Sequence, residues 1–161
     1  MILPGHIAAA YLAAKAASVD LRGALAAAMC PDLIDKPIRW LLRLTPNDRI
    51  PAHSLLGGVV MTAAAYRLAG GGFARGWAAG YAAHLLCDEI NAHLNPGRIY
   101  FWWPFKRYTF HRGPTGLNSS LRDFSRASVV IEGLLTLAGL AVWARGGRHR
   151  KPNGGLSHAS G

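Results

Sequence analysis

Along the first half of the chain, polar and charged residues recur every three to four positions among alanines, leucines and glycines, the period of helices that bury one face. Nowhere do apolar and polar residues alternate with the two-residue period of a strand, and no stretch repeats another. The pattern predicts an opening turn at Pro4-Gly5 and a helix over 6–17. A second helix over 21–29 should end at Pro31, because proline cannot donate the hydrogen bond that would carry the helix on. A short amphipathic helix over 35–44 carries Arg39 and Arg43 four apart, and a turn follows at 45–48. The next helix should begin near His53-Ser54 and run to Leu68, where Gly70, Gly71 and Gly72 break it. A central helix over 75–92 comes next. Residues 94–118 are interrupted by Pro96, Gly97, Pro104, Gly113 and Pro114 and form an irregular aromatic loop before a last helix over 120–144. The fold class is therefore all-α, a helical bundle formed by a single domain over 1–145, with a disordered basic tail over 146–161.

Length agrees with one domain, since 161 residues suffice to bury a core. The charge balance adds a constraint: 18 Lys and Arg stand against 8 acids, a net charge of +10, which points to a nucleic acid or an anionic membrane surface as partner. Residues 128–144 are apolar apart from Glu132 and are followed by Arg145, Arg148, Arg150 and Lys151, the basic flank expected on the cytoplasmic side of a membrane helix. The rings and bases of Tyr100-Phe-Trp-Trp-Pro-Phe-Lys-Arg-Tyr108 suit a bilayer headgroup region, and the alternative is stacking on single-stranded nucleic acid. Membrane lipid is the favoured partner, because the neighbouring segments are apolar. The start of the chain, Met1-Ile-Leu-Pro-Gly-His6, lacks the basic leader and cleavage site of a secretory signal peptide, so His6 is expected to stay in the mature protein. Cys30 and Cys87 form no metal or disulfide framework and read as small core residues.

The chemistry centres on Gly80-Tyr-Ala-Ala-His-Leu-Leu-Cys-Asp-Glu-Ile-Asn91, where His84 and Asp88 fall four apart on one helix face and can reach a common ion. Asp32, Asp35, Asp88 and Glu89 lie in or beside apolar runs, where an unpaired carboxylate would be costly, and a cation would serve as partner. With His6, Asp32, Asp35, His53, His84 and Asp88 as candidate ligands, a bundle could gather enough imidazoles and carboxylates for zinc, manganese or iron, as one ion or two.

Gly5-His6, Pro31-Asp32 with Asp35-Lys-Pro37, Arg49 with His53-Ser54-Leu-Leu56, Gly80-Tyr81 with His84 and Asp88, and Trp103-Pro104 stand in an order that resembles the YdjM-like inner-membrane family, described as LexA-binding, membrane-associated metal-dependent hydrolases. A more distant pattern, a His near the start, an Asp, a His, then His-x-x-x-Asp, is similar to zinc-dependent phospholipases C and single-strand nucleases. That likeness implies one metal held by Asp32, His53, His84 and Asp88, a second beside it with Asp88 bridging and His6 as ligand, and phosphoester hydrolysis. The sequence departs from the family pattern at Leu33-Ile34, which separate the two aspartates, and at Asp48, which stands where a His is usual but could still bind a cation or a water. No His-x-x-x-Glu follows the central helix, and His93 and His111 are its possible substitutes.

The expected activity is that of a membrane-associated hydrolase in which a metal-activated water attacks a phosphoester. Asp32 or Asp35 would act as catalytic base, and Arg49 and Arg112 would bind the phosphate of the substrate. The alternative is a non-catalytic membrane or regulatory protein with a structural metal, and a basic nucleic-acid-binding module ranks behind both. The expected location is the bacterial inner membrane, with the basic tail cytoplasmic.

Overall fold

The computed structural model describes residues 3–94, 100–109 and 125–148. Among these residues there are four helices and no strand: α1 (Leu3–Ala17), α2 (Leu21–Trp40), α3 (Leu55–Leu94) and α4 (Arg126–Arg148). The protein is an all-α bundle. Short polar side chains open two of the helices by accepting backbone N–H groups that have no partner within the helix. The Asp20 carboxylate accepts from Gly23 N at 2.8 Å, and Ser54 Oγ accepts from Gly57 N at 3.0 Å.

Pro31 does not end α2, contrary to the sequence expectation, and the predicted separate helix over 35–44 is instead the second half of α2, closing at Trp40. Pro31 and Pro37 each forfeit one hydrogen bond to the preceding turn. The helix survives because Ala24, Ala27, Ala28, Pro31 and Asp35 form one buried stripe along it. Tertiary packing offsets what local propensity disfavours.

α3 consists of two arms joined at Gly70, whose φ of 81° and ψ of 172° lie outside the helical region and inside the range that glycine adopts without strain. The arms fold back alongside each other, so that a Cβ at Gly58 would stand 3.2 Å from the ring of Tyr81. The second arm packs almost backbone to backbone on α2. A Cβ at Gly76 would lie 2.0 Å from Asp20 O, and one at Gly80 would lie 2.1 Å from Ala24 O. The next two positions at the same four-residue step are His84 and Asp88. One stripe of α3 thus first admits α2 and then presents polar groups to it.

α4 packs chiefly on α1, with Gly139 against Ala8. It begins at Arg126 and continues past residue 145 to Arg148, and residues 95–99, 110–124 and 149–161, on which the rest of the aromatic loop and the rest of the tail fall, lie outside the described residues. Two buried polar links fasten α4: Gly5 N donates to Glu132 Oε1 at 3.2 Å, and Ser128 Oγ donates to Asn91 Oδ1 at 2.8 Å. Its outer face exposes Val129, Leu134, Leu137, Leu140 and Trp143. Over 126–146 it is the one described helix long and apolar enough to cross a membrane. In the aromatic loop, Tyr100 is buried, while Trp102 and Phe105 are exposed.

Candidate functional site: a buried histidine and aspartate cluster

Four elements bring their polar residues to one point. α1 contributes His6, α2 contributes Asp32 and Asp35, the turn before α3 contributes His53, and the second arm of α3 contributes His84 and Asp88. His53 Nε2 lies 3.2 Å from His84 Nε2, 3.5 Å from Asp32 Oδ1 and 3.4 Å from Asp88 Oδ2. His84 Nε2 is 3.8 Å from Asp88 Oδ2, and His6 Nε2 is 3.4 Å from Asp88 Oδ1. The rings of His6 and His84 stack with centroids 3.9 Å apart.

The tautomers follow from the outer partners. His84 Nδ1 sits 2.7 Å from Ala28 O, and a carbonyl can only accept, so Nδ1 carries the hydrogen. His53 Nδ1 sits 2.7 Å from Asp35 Oδ2, which likewise accepts. Both Nε2 atoms therefore turn their remaining capacity toward one another and toward two carboxylate oxygens. Such a meeting of acceptors requires a cation or a proton between them.

Asp35 is fully buried and both its oxygens are engaged: Oδ1 accepts from Ala52 N at 2.9 Å, and Oδ2 from His53 N at 3.0 Å as well as from the imidazole. The expectation that Asp35 is a catalytic base is corrected on this ground, because its oxygens are turned to the 52–53 backbone and to Nδ1, away from the converging Nε2 atoms. It is a positioning residue for His53. Tyr81 assists by donating from its hydroxyl to Ala52 O at 2.5 Å.

Electrostatics reflect the crowding. Burial alone would lower the pKa of His53, but the carboxylates of Asp32, Asp35 and Asp88 outweigh it and push it up to about 9. Burial pulls His84 down to about 3, with His6 adding to the effect. For Asp88, burial is outweighed by the Arg49 charge and by His6 and His53, and its carboxyl is held well below the usual carboxylate range. Asp32 is lowered too, against burial, by His53 and by Lys36.

Two cations flank the cluster at its more open side. Arg49 Nη1 is 3.5 Å from Asp88 Oδ2, and Lys36 Nζ is 2.8 Å from Asp32 Oδ2. Sequence reasoning singled out Arg49 but missed Lys36, although its position four residues after Asp32 on a helix was the available signal. Arg112 and His111 fall outside the described residues. His93 is exposed and pairs with Glu89, so it joins no ligand group here. It lines a separate groove of about 1590 Å³ between the arms of α3 and the 100–109 segment, which holds none of the clustered groups.

Among the described residues, two sets of side chains could hold an ion, His6 with His84 and Asp88, and Asp32 with His53 and His84. Fold and site together define an all-α chain with, among the described residues, one membrane-length apolar helix and a buried histidine and aspartate cluster. The chain belongs to the YdjM inner membrane protein family, which it matches over residues 2–150. No curated protein and no solved structure matches it.

Proposed function

We propose that the protein is a membrane-associated metal-dependent hydrolase acting on a phosphoester. One observation carries the reading: two imidazole Nε2 atoms 3.2 Å apart, each oriented by a hydrogen bond at Nδ1, meet two carboxylate oxygens. A tetrahedral zinc with ligands at ~2.0–2.2 Å sets its ligand atoms ~3.3–3.6 Å apart, close to the separations found here. The donor set fits. Asp32, His53, His84 and Asp88 would hold the ion, Asp35 and Ala28 O would orient the two imidazoles, and His6 with Asp88 could take a second. Zinc suits this set of nitrogen and oxygen donors best, with manganese or iron as substitutes.

When bound, such an ion lowers the pKa of a water and polarises a phosphoryl oxygen. The chain's own groups do the rest. Asp32, partly exposed, would accept the proton from a water at the open side. Arg49 and Lys36 supply the positive charge that a phosphate needs there. The exposed face of α4 and the family support a place in the inner membrane, and the basic C-terminal end of α4 supports a cytoplasmic tail.

A structural ion with no catalysis is the second reading, favoured by the fact that four donors could close a site by themselves. The two separate on metal content and turnover. Purified protein should carry one or two equivalents of zinc or manganese and cleave a generic phosphodiester, and the His84→Ala, Asp88→Ala variant should lose both. Metal without turnover across phosphomonoesters and phosphodiesters would favour the structural reading, and a folded wild type that takes up no ion would sink both.

A further inference from the structure

The two imidazoles of the first ligand set are each fixed from behind, His53 Nδ1 by Asp35 and His84 Nδ1 by Ala28 O. His6 is held differently. It is 1% exposed, and its Nδ1 is buried without a hydrogen-bond partner among the described residues. Its Nε2 nonetheless stands 3.4 Å from Asp88 Oδ1, and its ring stacks on His84. With no bond at the back of the ring, the place of this imidazole is set by the start of α1 that carries it. That start has no cap of its own: the first N–H groups of a helix find no partner within it, and Leu3, Pro4 and Gly5 carry no side-chain acceptor. The acceptor comes from α4. Glu132 is the one charged residue between Ser128 and Trp143, and it is buried, with Oε1 3.2 Å from Gly5 N.

From this juxtaposition we infer that Glu132 is the positioning residue for His6, holding the imidazole at Asp88 through the Gly5 N–H, so that α4 governs the second ion without ligating it. The inference rests on the metal reading above and deepens it. A carboxylate inside a helix of membrane length is costly unless it has a partner, and residues of this kind mark function. The N-terminal end of α1 is that partner, because its N–H groups and the helix dipole both favour an anion. α4 holds the other member of the pair as well: Ser128 Oγ donates to Asn91 Oδ1 at 2.8 Å, three residues beyond Asp88 on α3. Gly139 lets α4 close on α1, since a Cβ there would stand 3.3 Å from the Cβ of Ala8. The first set draws on another element: Asp32 pairs with Lys36 and His53 is held by Asp35, both residues of α2. α4 should therefore act on one ion and not on the other.

The test uses the full chain in a maltoside detergent, stripped of metal and titrated with zinc by calorimetry. The wild type should take a second equivalent that His6→Ala abolishes while keeping the first, which identifies the ion concerned. Glu132→Leu should weaken that second equivalent by about 10–100-fold, the usual effect of losing an orienting partner, and leave the first unchanged. Glu132→Gln keeps an oxygen for the Gly5 N–H and should restore it, which neither a ligating carboxylate nor a general loss of folding would allow. Glu132→Asp keeps the charge but draws it back by a methylene; it should fall between the leucine and glutamine variants, and it carries the test where the leucine variant does not fold. Both equivalents weakened alike, neither weakened, or no rescue by glutamine overturns the positioning role and leaves the hydrolase reading standing, as does a wild type that takes a single ion. A wild type that takes no ion overturns both.

Discussion

The seam between α2 and the second arm of α3 and the outer face of α4 are built on opposite rules. In the seam, glycines and alanines bring two backbones together, and the buried side chains at its end are His53, His84, Asp35 and Asp88. On α4, the exposed side chains are Val129, Leu134, Leu137 and Leu140. A water-soluble domain puts charge outside and leucine inside. Here charge is buried because each charge has an opposite one within 4 Å, and leucine is exposed on a helix long enough to span a bilayer. The difference is what the proposed function expects, with the seam serving chemistry and α4 meeting lipid, and each half of that proposal can be broken separately.

The largest effect is expected on α4. Leu137 lies near the middle of the apolar stretch and is 65% exposed. Leu137→Arg should cost about 2.5–3.5 kcal/mol of insertion if that face meets lipid. On a water-facing surface the same change would stay within about 0.5 kcal/mol. The membrane-inserted fraction after alkaline extraction reads the difference, and an unchanged fraction would take α4 out of the bilayer.

A smaller effect should come from the seam. At Gly80 an added Cβ would stand 2.1 Å from Ala24 O, and backbone cannot swing aside as a long side chain can. Gly80→Ala should destabilise by about 1–3 kcal/mol, the usual range for overpacking. It should also loosen the Ala28 O to His84 Nδ1 bond one turn further along. Gly72→Ala, where a Cβ meets nothing within 4 Å, is the matched control. Thermal unfolding that treats the two alike would remove the claim that the seam is set by contact.

These two regions were not equally legible beforehand. The apolar run of α4 and the step from His84 to Asp88 are periodic, and periodicity is what a sequence displays. The gathering of His6, Asp32 and His53 around that pair was legible only as a set of candidates that a bundle could bring together, which the family resemblance then ordered into a site, because residues from four separate elements meet by tertiary packing. Pro31 misled for the same reason: local propensity argues for a helix end, and the buried stripe from Ala24 to Asp35 overrides it. Asp35 was misassigned because spacing cannot tell a carboxylate that faces a site from one that faces the backbone of residues 52 and 53 behind it. Lys36 was legible as a helix pair with Asp32, but its place beside the cluster was not.

The smallest predicted effect sharpens the seam's half of the comparison, because it asks whether a proton and an ion compete for the same place. Burial would lower the pKa of His53, yet Asp32, Asp35 and Asp88 raise it to about 9, above the ordinary 6.5. A group raised in the folded state stabilises the metal-free protein fully below pH 6.5 and loses that contribution as pH climbs through about 9. The proton in question sits on Nε2, since Nδ1 already faces Asp35. An ion must expel it, so zinc affinity should weaken by about tenfold for each unit of pH lowered within that window. Asp35→Asn removes one of the carboxylates that hold the proton, and should therefore flatten this dependence while costing about 10–100-fold in affinity through lost orientation of the ring. Zinc titrations with a competing chelator from pH 6.5 to 8.5 measure both slopes. A flat wild-type profile would mean that no proton leaves His53 when the ion arrives, and the 3.2 Å approach of the two imidazoles would then need another explanation.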